Sequence, residues 1–360
     1  MQHVAIAGGG VIGAATAYFL ALRGVRSTIV ERRSVAAGAS GTAAGLLSPP
    51  APADLLEPWG AMGADSLALH FEVARALDGP SRYGFESLDT ALVARNQAEH
   101  AAIAGTYGSG AWLEAPALRA HSRWFGDGIV GGVVRRGGAQ LFPDQFTRTL
   151  IEAAQADVRA GAVDGVARDG HAAIGLLVEG VRLQADAVVL AMGPWTADAS
   201  AWLDHPIPVM PLKGQILRLR IAGAPPAGFA DLDGQYLVRK PNGIVYAGTT
   251  EEDAGFDETP TPDAESAILA WAQANSPVAA SAEVLERTAC LRPLSTDNVP
   301  IIGAVPGLAG AYLATGHGRK GILLSLATGK ALAELIVDGA ATSIDLAPFS
   351  PTRFVAGAVN

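Results

Sequence analysis

The 360-residue chain has a single cysteine, Cys290, which excludes an internal disulfide and any cysteine-rich zinc site. Its seven histidines, at 3, 70, 100, 121, 171, 205 and 317, are scattered with no pair at metal-ligand spacing, so no structural metal is expected. Charge is also scarce: charged residues make up 17% of the chain, the formal net charge is -9, and no basic run occurs. Nucleic acid and anionic lipid therefore find little to grip. What the chain has in quantity is apolar residues, 49%, enough at this length for about two domains with proper cores. Small molecules and other proteins remain as partners, in a reducing and cytoplasmic setting, with a homo-oligomer left open.

The N-terminal run "VAIAGGGVIGAATAYFLAL" is uncharged and about as long as a membrane span. Three consecutive glycines would cost about 1 kcal/mol each inside a helix, and no basic segment precedes the run, so it divides into strand, turn and helix instead. "HVAIA" is then a buried strand, and Gly8, Gly10 and Gly13 form G-x-G-x-x-G. The following helix carries Val11, Ala15, Tyr18 and Leu22 on one face and ends at Gly24. A second strand, "STIV", leads to Glu31. Gly10 has no side chain to keep a pyrophosphate from the helix N-terminus, Gly13 lets helix and strand pack closely, and Glu31 is placed to accept hydrogen bonds from a ribose. This order predicts a dinucleotide site. The next segment, "RRSVAAGASGTAAGLLSPP", is rich in small residues where an NAD enzyme would continue with β-α units. Ser40, Thr42 and the backbone around them suit a second extended phosphate and a flat ring, which favours FAD over NAD.

A helix is expected at "SLALHFEVARAL", then irregular chain to residue 138 with short β-like runs such as "TALVA" and "GIVGGVVRR". A helix at "PDQFTRTLIEAAQ" follows, and "DAVVLAMG" reads as a central strand returning to the first sheet. Between residues 206 and 288, "PVMPLKGQILRLRI" is β-rich, "YLVRKPNGIVYAGTT" is a hairpin around Pro-Asn-Gly, and "DAESAILAWAQANS" is a helix. "AYLATG" then runs into a glycine loop and an apolar helix, whose free N–H groups from Gly318 to Ile322 would favour a reduced flavin. The fold class expected is α/β: a Rossmann-like FAD-binding domain of glutathione-reductase type (1–84, 139–205 and 289–360), interleaved with a mixed-sheet α+β substrate domain (85–138 and 206–288).

Seven blocks in order, "AIAGGGVIGAATAYFLALRG" with Glu31, "SGTAAGLLSP", "AVVLAMGPWT", "PLKGQ", "YLVRKPNGIVYAGTT", "LRPLSTDNVPIIG" and "GHGRKGILLSLATGKALAELI", resemble the D-amino acid oxidase family of flavoproteins, and most closely its glycine oxidase and bacterial D-amino acid dehydrogenase members. The resemblance implies that Arg292 grips a substrate carboxylate, that Tyr236 bonds the same carboxylate, and that Arg319 is a second active-site arginine. It implies FAD contacts at Gly8, Gly10, Val11, Ile12 and Gly13, at Glu31 and Arg32, at Ser40, Thr42, Ala43, Ala44 and Leu46, and at Val163 by its backbone. Further contacts are implied at Gly193, Trp195, Gly316, Gly318, Arg319, Lys320, Gly321 and Ile322. Glu251 and His317 are expected to line the substrate pocket.

A planar, bidentate guanidinium is what an amino-acid carboxylate taken out of water requires, and a buried arginine needs an anion. On the residues alone, an internal pair between Arg292 and Asp297 competes with a substrate. Related sarcosine-oxidising enzymes tether flavin to a cysteine near here, but that position aligns with Leu291, so Cys290 is expected to be a buried structural thiol. The reaction expected is FAD-dependent oxidation of a small amino acid, such as glycine, sarcosine or a D-amino acid including proline-type secondary amines, with oxygen or a quinone or other carrier as acceptor. The alternatives are a 2-hydroxy acid dehydrogenase of the same superfamily and a flavin-binding subunit of a larger complex.

Overall fold

The computed structural model describes residues 1–354, so 355–360, the end of the third segment expected in the cofactor domain, lie outside it. The strand His3–Ala7 is apolar and buried because it has neighbours on both sides, Arg26–Glu31 and Ala187–Leu190, both parallel to it. These three are central in a six-stranded sheet that Asp157–Ala160 extends at one edge and Ala311–Thr315, then the antiparallel Ile301–Ala304, at the other. "DAVVLAMG" thus returns to the first sheet, as its continuous apolar run predicts.

One face of this sheet is covered by the helices Val11–Ala21, Pro143–Ala154 and Gly321–Asp338, with Pro58–Ala76 packed against the last. The other is covered by an antiparallel meander of Val163–Asp169, Ala172–Val178 and Val181–Gln184. Close approach explains the glycines of the first turn. Gly8 has a φ of 110°, and a Cβ there would overlap the Ala191 carbonyl; a Cβ on Gly13 would overlap the carbonyl of Gly8. The expected apolar face ends early, however: the helix stops at Ala21, and Leu22 is 66% exposed as the chain turns away towards Gly24.

The remaining strands form a mixed nine-stranded sheet. Its longest pairing joins Val209–Arg220 to Glu283–Ser295, with Gly214 opposite Cys290 and Leu212 opposite Arg292. The hairpin Tyr236–Arg239 with Val245–Gly248 lies beside Val209–Arg220, and the helix Pro262–Asn275 packs on the sheet. The stretch expected to be irregular is more ordered: besides the strands Glu86–Ala94 and Gly131–Gln140 it contains the helices Gln97–Tyr107 and Ala115–His121. The first of these buries only Ile103, so it leaves little periodicity, and its clearest signal is the Asn96 cap accepting from Glu99 N at 3.0 Å. The small-residue segment likewise contains a short helix, Ala39–Thr42, and the helix expected at residue 66 begins at Pro58, where a first-turn proline needs no N–H partner. Among the described residues no helix is long and apolar enough to cross a membrane.

Candidate active site

A cavity of 520 Å³ is lined from all three sheets. At one end the Glu31 carboxylate accepts from Gly9 N and from Arg33 N, both at 2.8 Å, and each oxygen keeps a lone pair free. The Arg32 guanidinium lies 4.0 Å from the ring centre of Trp195, and Val163 closes this end with Gly161 and Ala162. Next come Gly8, Gly10, Val11 and Ile12. Ser40 Oγ accepts the Val11 N–H at 2.9 Å, so its own hydroxyl proton remains available as a donor. Ala43, Ala44, Leu46 and Gly193 continue the wall to Gly318, Lys320, Gly321 and Ile322 at the start of the last helix.

The far end holds Tyr236, Arg292 and Arg319. Arg292 is 9% exposed; its Nη2 donates to Thr249 Oγ1 at 2.7 Å and its Nη1 to the Thr250 carbonyl at 3.1 Å. Neither partner is charged. Asp297, the candidate internal partner, pairs instead with Arg353 at 2.8 Å. The Arg292 guanidinium lies against the backbone of Gly214, where a Cβ would overlap it. Burial pushes the Tyr236 phenol well above its ordinary range, and the charges of Arg292 and Arg319 only partly oppose this. The tyrosine is therefore a hydrogen-bond donor. Arg319 donates to the Gly234 carbonyl at 3.0 Å and sits 3.3 Å from Glu251.

His317 is buried on the cavity wall, with Nε2 3.0 Å from Thr328 Oγ1 and Nδ1 without a partner; burial holds its pKa near 3, so it is neutral. Lys320 Nζ lies 3.8 Å over the ring of Trp59, and burial lowers its pKa. Cys290 is buried on the wall beside Leu291 and Arg292, and burial raises its thiol pKa against the effects of a Thr42 hydrogen bond and the Arg292 charge. Four of the residues expected at the site do not line the cavity. Gly13 packs against the first turn, Thr42 touches it only through Cys290, Gly316 lies behind the wall near Ser295, and Glu251 reaches it through Arg319.

The family described as FAD dependent oxidoreductase matches residues 3–335. The glycine oxidase of Pseudomonas aeruginosa is 30% identical over 378 residues, covering 97% of this chain and 98% of its own. The chain belongs to the DAO family of FAD-dependent oxidoreductases. Among solved structures, the glycine oxidase of Geobacillus kaustophilus superposes with a TM-score of 0.90 at 29% identity, covering 98% of this chain and 99% of that one. The iminodiacetate oxidase of Chelativorans superposes with a TM-score of 0.87 at 25% identity, covering 97% and 98%.

This flavoenzyme uses FAD, and its residues suit that group. The side-chain-free backbone of Gly8 and Gly10 on the cavity wall, the helix N-terminus that begins at Val11 and the Glu31 carboxylate suit its pyrophosphate and ribose, while Gly13 lets the turn pack closely behind them. As a member of the family it is an amino acid oxidase-type enzyme acting on CH–NH donors. Sequence reasoning missed Thr249 and Thr250, which hold Arg292, and Gly214 and Gly234, which seat the two arginines. It also missed Arg135, Asp54 and Trp59 on the wall. The glycine inside the strand "PLKGQ" was the one available signal, since a strand glycine often marks close approach of another group.

Proposed function

We propose that the enzyme oxidises the C–N bond of a small amino acid whose carboxylate is held by Arg292 and Tyr236. The single observation that carries this reading is a buried guanidinium whose protein partners are a hydroxyl and a carbonyl, with no carboxylate pair among the described residues. A cation in that setting lacks its anion, and an α-carboxylate is the planar, bidentate one that fits. Tyr236 supplies a further donor. Neither group accepts a proton, Glu251 is tied to Arg319, and burial keeps His317 too weak a base to take one, so the amine arrives already deprotonated.

FAD, when bound, supplies the hydride acceptor. The chain's part is to fix the carboxylate, and with it the α-carbon, and to keep the amine free of a charged partner. The product imine hydrolyses to a 2-oxo acid, or stays cyclic for a proline-type amine. The residues expected to contact FAD keep those roles in this proposal, as do the segments 1–84, 139–205 and 289–360 as its binding domain. The glycine and iminodiacetate oxidases named above support an amine over a 2-hydroxy acid.

The test is anaerobic bleaching of the purified flavoprotein by glycine, sarcosine and D-amino acids including D-proline, beside the matching 2-hydroxy acids. Bleaching by amines alone is expected, and Arg292→Ala should raise KM at least tenfold with FAD content unchanged. Bleaching by hydroxy acids alone, or an unchanged KM, overturns the proposal.

A further inference from the structure

We infer that the natural substrate carries a second anionic group, a carboxylate on its side chain or on its nitrogen, held on the side of the pocket formed by Arg135 and Lys320. The inference rests on the amine-oxidation reading above and narrows its substrate class. Tyr236 lies within electrostatic reach of Arg292 and of Arg319. From Arg319 the wall continues through the turn Gly318–Lys320 to Lys320, which feels the charges of Asp54, Arg319 and Arg135. All of these residues line the one cavity.

Arg135, on the strand Gly131–Gln140, donates to the Pro49 carbonyl. Lys320 rests on the Trp59 ring. Neither has a carboxylate oxygen of the described residues within 4.0 Å, whereas Arg319 lies 3.3 Å from Glu251. At this end four cations, Arg135, Arg292, Arg319 and Lys320, therefore face two carboxylates, Asp54 and Glu251. Asp54 is further engaged by Ala51 N at 2.8 Å.

One α-carboxylate on Arg292 leaves a positive charge over, in a partly buried setting where burial first, and then the charges of Arg319 and Arg135, lower the Lys320 pKa against the pull of Asp54. A second carboxylate balances it. The cofactor's phosphates do not, because their cradle of Gly10, Val11 and Ser40 lies on other elements than Arg135 and Arg292. Lys320 leads into the helix that faces the flavin and can be shared with it. Arg135 comes from the second sheet, so it reports on the substrate.

The experiment compares half-saturation for anaerobic bleaching by matched pairs: sarcosine with N-(carboxymethyl)glycine, and D-alanine with D-aspartate. At least one two-carboxylate amine should saturate tenfold or more below its partner; R135Q should bring that ratio towards one, and R135K should retain it. A wild-type ratio of one or below in both pairs, or an R135Q that weakens both members equally, overturns the inference while leaving amine oxidation intact. If none of the four amines bleaches the protein, the failure lies in the amine-oxidation reading and the inference falls with it.

Discussion

Gly214→Ala is a substitution of one methyl group that tests how the site holds its arginine. Gly214 has no positive φ, so alanine fits its backbone, and the nearest obstacle is the flexible end of Arg292 rather than main chain. Stability should move by no more than about 1 kcal/mol, with reduced unfolded-state entropy working in favour of alanine. The guanidinium, however, must leave its seat and lose its alignment with Thr249 and Thr250. Truncating one partner of a buried charge pair costs about 2–5 kcal/mol, and a displaced guanidinium keeps part of that, so a loss of about 2–3 kcal/mol is expected. At about 1.4 kcal/mol per tenfold, kcat/KM for the preferred amine should fall on the order of 10²-fold. The assay is a double-mutant cycle: steady-state kinetics of the wild type, G214A, R292A and the double variant, with FAD content and thermal stability measured on each. G214A should have almost no effect where Arg292 is already gone. An equal penalty in both backgrounds, or a wild-type KM in G214A, refutes the seat.

Lys240 predicts a pH dependence of stability. It is fully buried, its Nζ donates to the Ala44 carbonyl at 2.8 Å and to the Leu141 carbonyl at 2.7 Å, and burial lowers its pKa from 10.5 to about 7. Between those values the unfolded chain binds more protons than the folded one, so this lysine makes stability rise with pH across that window, by up to about 1.4 kcal/mol per unit. In urea unfolding, wild type should gain on Lys240→Met by about 2 kcal/mol between about pH 7.5 and 9.5; parallel profiles would dismiss the mechanism. For Cys290, acid precipitation should release all the FAD and leave a colourless pellet, and Cys290→Ser should keep its flavin. A protein mass raised by one FAD would show a covalent bond.

Much of the cofactor half was legible because its signals are local. The strand, glycine turn and helix are contiguous in sequence, so their order marks Gly8, Gly10 and Gly13 even though Gly8 packs against the distant Ala191 carbonyl, and the continuous apolar strands at His3–Ala7 and Ala187–Leu190 declare that they are covered on both faces. The hairpin around Pro241, Asn242 and Gly243 is likewise written in its own turn. The helix Gln97–Tyr107 escaped because it lies on the surface and buries one side chain, so no periodic stripe marks it.

The sequence by itself determined a strand–glycine turn–helix unit with an acid after the next strand, and the presence of an arginine in apolar company at 292. Which partner that arginine has, only the tertiary structure decided. Asp297, five residues away, turned to Arg353, far along the chain, while Arg292 found Thr249, Thr250 and the bare backbone of Gly214. The pairing of Val209–Arg220 with Glu283–Ser295 brings Gly214 and Arg292 together. A slip of one residue would turn these side chains to the opposite face. Short-range patterns specify elements, whereas the partner of a long charged side chain is set by sheet register and by segments distant in sequence.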